Sequence, residues 1–234
     1  QTITKRSTKV KIARWWLGAS RGAVRARRDG TMKLLLTSAG IKNRSIQNAL
    51  VGLLGKPIAE ASALCIPTAI YPFPGGPAMA YRFISGLTAS PMCGLGWKSL
   101  GVLELTALPS IKAEYWIAAV QQADALLVFG GDVWYLCRWM RESGLADLLP
   151  SLRETVYVGV SAGSMVMTPR IGDYFVEWRS APDDTTLGVV DFSIFPHLDY
   201  PGFAGNTMAH AERWAATRST CSRPSALGPC LPPG

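Results

Sequence analysis

Val156-Tyr-Val-Gly-Val160-Ser161-Ala162-Gly163-Ser164 is the stretch whose reading decides the fold. Its first five residues form an apolar run, and Ala162–Met167 is compatible with a helix. Ser161 therefore sits where a strand should bend into a helix. Residues 159–163 read G-x-S-x-G. Such a turn holds its serine in a strained conformation and lifts the hydroxyl clear of the sheet. The positions two before and two after come too close for side chains larger than hydrogen. The helix that follows aims its first amides at the same point, which suits a developing oxyanion.

Outward from this turn, short apolar runs alternate with amphipathic segments. Strands are expected at Lys33–Thr37, Ala63–Pro67, Ser99–Leu105, Ala125–Phe129 and Val156–Val160. Helices are expected near Ser45–Leu54, Tyr81–Leu95, Ile111–Gln121 and Val133–Leu149. This alternation predicts an α/β fold: a parallel sheet with helices on both faces. Ala125-Leu-Leu-Val-Phe129 has the continuous apolar character of a strand covered on both sides. In such a sheet, functional groups gather where loops leave the carboxyl ends of strands. Two exits stand out, Gly130-Gly131-Asp132 and Gly159–Gly163.

The chain has 234 residues, 48% of them apolar, enough for one substantial core. No apolar run reaches the roughly 18 residues that would span a bilayer, so no membrane partner is expected. The net charge of +8 resides entirely in residues 1–30, which hold nine basic residues and Asp29. The remainder is neutral, so no nucleic-acid partner is expected of the body. The basic segment reads as a polyanion-contacting arm, as a targeting leader, or as upstream sequence joined ahead of Met32; the last is favoured. Residues 1–31 are expected to be a disordered extension, 32–216 the α/β domain, and 217–234, with four prolines, a disordered tail. Cys65, Cys93, Cys137, Cys221 and Cys230 lack metal-ligand spacing and read as reduced thiols of a cytoplasmic protein, with no metal and no cofactor expected.

A serine nucleophile needs a base, and the chain offers only His197 and His210. His197, in Phe195-Pro196-His197-Leu198-Asp199, follows the apolar stretch Val189–Phe195 and so falls at a strand end. His210 lies in Asn206–Ala216, which reads as a helix, and is expected to be solvated. His197 is the expected base. The acid that would orient it is left among Asp173, Glu177, Asp183, Asp184 and Asp191, with Asp183-Asp184 expected in an exposed loop.

Taken together, Ala63-Leu-Cys-Ile-Pro67, Leu127-Val-Phe-Gly-Gly131-Asp132, Gly159-Val-Ser-Ala-Gly163-Ser164 and Ile194-Phe-Pro-His197 resemble the dipeptidase E (aspartyl dipeptidase) family over residues 32–216. These are serine peptidases on a flavodoxin-like sheet of the class I glutamine amidotransferase type. The resemblance implies a Ser161–His197–acid triad with an acyl-enzyme intermediate. It implies Asp173 as the acid, with Glu177 second, and the Gly131 and Ala162 amides as the oxyanion hole. The expected partner is a small peptide substrate, and a homodimer is left open. An esterase or amidase with the same triad, and a non-catalytic binding module on the same fold, are the alternatives.

Three departures matter. Asp132 stands where aspartyl dipeptidases have asparagine, placing a carboxylate at the expected substrate site that should repel an acidic side chain. The family's arginine after the histidine has no counterpart, since Asn206-Thr207-Met208 occupies that region. Past the last helix, where the family continues with further strands, this chain has its Pro/Cys-rich tail.

Overall fold

The computed structural model describes residues 2–5, 8–14, 24–26, 32–89, 91–178 and 180–220. In chain order its elements are β1 (Thr2–Lys5), β2 (Thr8–Arg14), β3 (Val24–Ala26), β4 (Lys33–Thr37), α1 (Arg44–Leu54), β5 (Ser62–Ile66), α2 (Gly76–Ile84), β6 (Ser99–Val102), α3 (Ala113–Gln122), β7 (Ala125–Val128), α4 (Val133–Glu142), α5 (Leu145–Leu148), β8 (Val156–Val160), α6 (Ala162–Met165), β9 (Phe192–Leu198) and α7 (Met208–Thr220). Five strands run parallel in the spatial order β4-β8-β7-β5-β6, and β3 adds antiparallel to β4 at one edge. The expected α/β parallel sheet is what the chain forms.

Side-chain alternation explains how helices cover both faces. Leu34, Leu36, Leu126, Val128 and Tyr157 point to one side, where they join Trp116, Leu136 and Met140 of α3 and α4. Leu35, Ala125, Leu127, Val156 and Val158 point to the other, against Leu50 of α1 and Ala80 and Phe83 of α2. A strand buried on both faces has no room for polar alternation, hence the continuous apolar runs. β7 and β8 lie side by side in the middle of the sheet, so the turns at their carboxyl ends are neighbours.

Several boundaries differ from expectation, each for a local reason. The helix expected over Tyr81–Leu95 instead begins at Gly76 and ends at Ile84. Gly86 takes a left-handed φ of 70°, and a Cβ there would lie 2.7 Å from the Gly94 backbone, so the chain must turn away. The helix expected over Val133–Leu149 is interrupted at Gly144, whose φ is 81°. Val102 ends β6, and Leu105–Ser110 forms a 3-10 turn that contains Pro109.

Residues 1–31, expected to be a disordered extension, carry β1, β2 and β3. β2 pairs antiparallel with β1 and parallel with β9, which lies outside the main sheet. The alternation Lys9-Val10-Lys11-Ile12 has the period of two that suits a strand. α7 runs to Thr220, four residues into the segment expected as a tail, and residues 221–234, with Cys221 and Cys230, lie outside the described residues. Cys65, Cys93 and Cys137 are buried free thiols. Among the described residues, no helix is long and apolar enough to cross a membrane.

Candidate active site

Thr37 organises the ground beneath the candidate nucleophile. Its amide donates to Ser164 Oγ (2.9 Å), and that hydroxyl donates back to the Thr37 carbonyl (2.8 Å). The same carbonyl accepts the Ser161 amide (3.0 Å), while Thr37 Oγ1 donates to the Gly159 carbonyl (2.8 Å). From the opposite face, the buried Tyr157 hydroxyl donates to the Gly163 carbonyl (2.7 Å). The bend between β8 and α6 is thus tied to β4 and to its own strand.

Ser161 occupies this bend at φ 51° and ψ −113°, a conformation that L residues rarely adopt. The glycines at either side are sterically required. A Cβ on Gly159 would lie 2.4 Å from the Gly163 carbonyl oxygen, and one on Gly163 would lie 2.4 Å from that of Val128. Ser161, His197 and Asp199 are the non-glycine residues with positive φ among those described. Strained backbone therefore collects where the sequence places its chemistry.

β9 carries the candidate base. His197 Nε2 lies 2.8 Å from Ser161 Oγ, although 36 residues separate them along the chain. The histidine backbone amide donates to Ser38 Oγ (2.7 Å), in the loop leaving β4. Behind it, buried Asn206 donates from Nδ2 to the Pro196 carbonyl (3.1 Å), accepts the Tyr174 hydroxyl (3.1 Å), and accepts the Asp199 amide on its own carbonyl (2.7 Å). The His197 ring packs against Phe203, with centroids 4.9 Å apart. Burial lowers its pKa from the ordinary 6.5, and the positive charge of Lys42 lowers it further. Both effects favour the neutral imidazole that a base requires.

The oxyanion candidates are Ala162 and Gly131. α6 begins at Ala162, so that residue's amide has no partner within the helix. Gly130 is close enough that a Cβ on it would lie 3.2 Å from Ser161 Cβ. Gly131 follows at φ 143°, and a Cβ there would meet the Ala69 carbonyl oxygen at 2.1 Å. Only glycine fits that approach.

The carboxylates are arranged less simply. Asp173 is exposed at the start of a 3-10 turn, Asp173–Phe175, and Phe175 packs edge-on against Phe195 (5.2 Å), two residues before His197. Among the described residues, no hydrogen bond joins Asp173 or Glu177 to the imidazole. Asp132 is buried and caps α4, accepting the Tyr135 amide at 2.7 Å, a role the sequence analysis did not assign to it. Burial raises the pKa of Asp132; burial and then the charge of Asp132 raise that of Glu177. Asp184, expected to be exposed, is buried and paired with Arg170, and it accepts the Gly172 amide (2.7 Å) beside Asp173. His210 is half-buried rather than solvated, packed against Tyr174 with Nδ1 donating to the Gly205 carbonyl (2.7 Å). Among the described residues, no three His, Cys, Asp or Glu side chains group closely enough to hold a metal ion.

Sequence reasoning missed Ser38, Thr37 and Asn206 as residues that position the pair. Thr37 and Ser38 act through backbone 122 and 159 residues away, and Asn206 through backbone ten residues away across a loop, so none leaves a periodic signature.

Comparison with known proteins finds a matching family and similar structures. The family model described as peptidase family S51 matches residues 34–223. The structure of a peptidase from an acI-B1 actinobacterium is similar at a TM-score of 0.57 and 18% identity, covering 78% of this chain and 74% of that one. A protein described as peptidase E from Listeria monocytogenes EGD-e aligns at a TM-score of 0.49 and 19% identity, covering 69% of this chain and 76% of that one. No match is found among curated proteins.

Proposed function

The chain belongs to peptidase family S51, and on that premise we propose that this serine peptidase cleaves short peptides through an acyl-enzyme, with Ser161 as nucleophile and His197 as general base. The observation that carries the reading is the 2.8 Å separation of His197 Nε2 and Ser161 Oγ across the carboxyl edge of the sheet. His197 accepts the hydroxyl proton as Ser161 Oγ bonds to the scissile carbonyl carbon. The carbonyl oxygen takes the electron pair and is held by the Gly131 and Ala162 amides, each such donor contributing about 3–4 kcal/mol in the transition state. Collapse expels the amine, which leaves with the proton from His197. Water, deprotonated by the same imidazole, then frees the acyl group and restores the serine.

Asp173 is the carboxylate proposed to orient His197. In support, its turn packs through Phe175 onto Phe195 of β9. Catalytic hydrogen bonds are often incomplete before substrate binds. The substrate site follows from the same geometry, since the Gly131 and Ala162 amides fix where the scissile carbonyl lies and the groups next to Gly131 then face the substrate.

The test is hydrolysis of a dipeptide panel beside short acyl esters, with wild type and Ser161→Ala. Peptide turnover that falls about 10⁵–10⁶-fold in the variant supports the reading. Turnover unchanged by Ser161→Ala ends it, and turnover of esters alone converts the enzyme to an esterase.

A further inference from the structure

Immediately past the oxyanion turn, the first two turns of α4 and the segment carrying Glu177 and Trp178 face one another. Tyr135 and Trp178 pack with ring centroids 4.9 Å apart, and Trp139 stands 6.2 Å from Tyr135. Two carboxylates belong to the same segments as these rings. Asp132 is buried at the head of α4, and Glu177 is close enough to feel its charge. Further along the same edge of the sheet, Glu104 binds Thr68 and Thr106 through Oε1, while its Oε2 is buried without a hydrogen-bond partner. The indole N–H groups of Trp139 and Trp178 are likewise buried and unpartnered among the described residues.

This combination has a specific chemistry. Aromatic faces attract cations through their quadrupoles, and carboxylates nearby add to that attraction. A carboxyl group whose pKa is raised by a neighbouring carboxylate is relieved by a positive charge placed near it. Here those groups lie one to eight residues from Gly131 along α4, or pack against that stretch. The start of α4 thus brings Asp132 and Tyr135 directly behind the Gly131 turn.

Resting on the peptidase reading above, we propose that Asp132, Tyr135, Trp139, Glu177 and Trp178 form a subsite that selects peptides whose N-terminal residue carries a cationic side chain. The ammonium or guanidinium lies against the Tyr135 and Trp178 rings, since Arg138 of the same chain already stands over Trp139 at 5.8 Å, and Glu177 and Asp132 are its counter-charges. Acidic side chains are rejected by the same carboxylates.

Dipeptides with N-terminal arginine, its uncharged isostere citrulline, and aspartate separate charge from shape. Wild type is expected to show kcat/KM about tenfold higher for arginine than for citrulline, with aspartate lowest. Glu177→Gln is expected to narrow the arginine–citrulline ratio to about threefold or less. Equal rates for arginine and citrulline in wild type overturn the subsite. So does a Glu177→Gln variant that slows all three substrates by one factor, because that pattern belongs to a residue orienting His197. Binding is read independently on Ser161→Ala by tryptophan fluorescence, titrating arginine amide against citrulline amide. Tighter binding of arginine amide supports the subsite even if no peptide is turned over, an outcome that would sink only the peptidase reading. Indistinguishable binding of the two amides overturns the subsite even if peptides are cleaved.

Discussion

Replacing Ser164 with alanine removes one hydroxyl that serves both backbone groups of Thr37. The Thr37 carbonyl keeps a partner, since it also accepts the Ser161 amide at 3.0 Å. The Thr37 amide loses the 2.9 Å bond to Ser164 Oγ in a site where Ser164 is buried. A buried donor left without a partner costs about 1–3 kcal/mol. For a chain of this size each kcal/mol lowers Tm by roughly 2–4 °C, so a drop of roughly 2–12 °C is expected. Urea denaturation should show a lower midpoint at an unchanged slope, the signature of a stability change without a change in the surface exposed. Ser151→Ala is the control, because its exposed hydroxyl donates only to the Leu148 carbonyl (2.7 Å); it should fall within about 0.5 kcal/mol of wild type. The loss should also reach the nucleophile, whose own amide hangs on Thr37, and slow its reaction with a fluorophosphonate. A Ser164→Ala protein as stable as the Ser151→Ala control would refute this account of how the elbow is held.

Other outcomes follow from the same geometry. Activity should require neutral His197, so kcat/KM should rise with pH through a pKa below the ordinary 6.5. Because the folded pKa is depressed, the unfolded chain binds this proton first; the contribution to stability is present above the ordinary value and is lost as pH falls through the folded pKa. Lys42→Met should move the acid limb of the kcat/KM profile upward, and an unmoved limb would remove Lys42 from the account. Gly131→Ala would place a Cβ against the Ala69 carbonyl at a φ of 143°, so kcat should fall about 10²–10³-fold as the oxyanion donor is displaced; near-normal kcat would exclude the Gly131 amide. Asp173→Asn should lower kcat by about 10³–10⁴-fold on every substrate if it orients the imidazole, and a larger uniform loss in Glu177→Gln would transfer that role.

Much of the molecule was legible because burial writes itself into sequence. Ala125–Val128 and Val156–Val160 are apolar throughout because helices cover both faces of the strands they form. The elbow was legible because its glycines answer to contacts of 2.4 Å that no other residue survives. His197 stood out through scarcity and its place at the end of an apolar run. The Asp132 cap had a readable signal, an acidic residue just ahead of a helix, which was outweighed by its proximity to the expected oxyanion turn. By contrast, the start of α2 at Gly76 depends on the Gly75 conformation and Pro77, and its end depends on Gly86 meeting Gly94. Ser38 and Asn206 gave no signal at all, because each holds the histidine segment through bonds that exist only once β4, β9 and α7 have come together.

Mass spectrometry of the protein after fluorophosphonate treatment tests the central pairing most directly. A single adduct on Ser161, formed faster as pH rises through the His197 titration and abolished in His197→Ala, is the predicted result. No adduct, or one carried by a different residue, would contradict an activated serine at this turn.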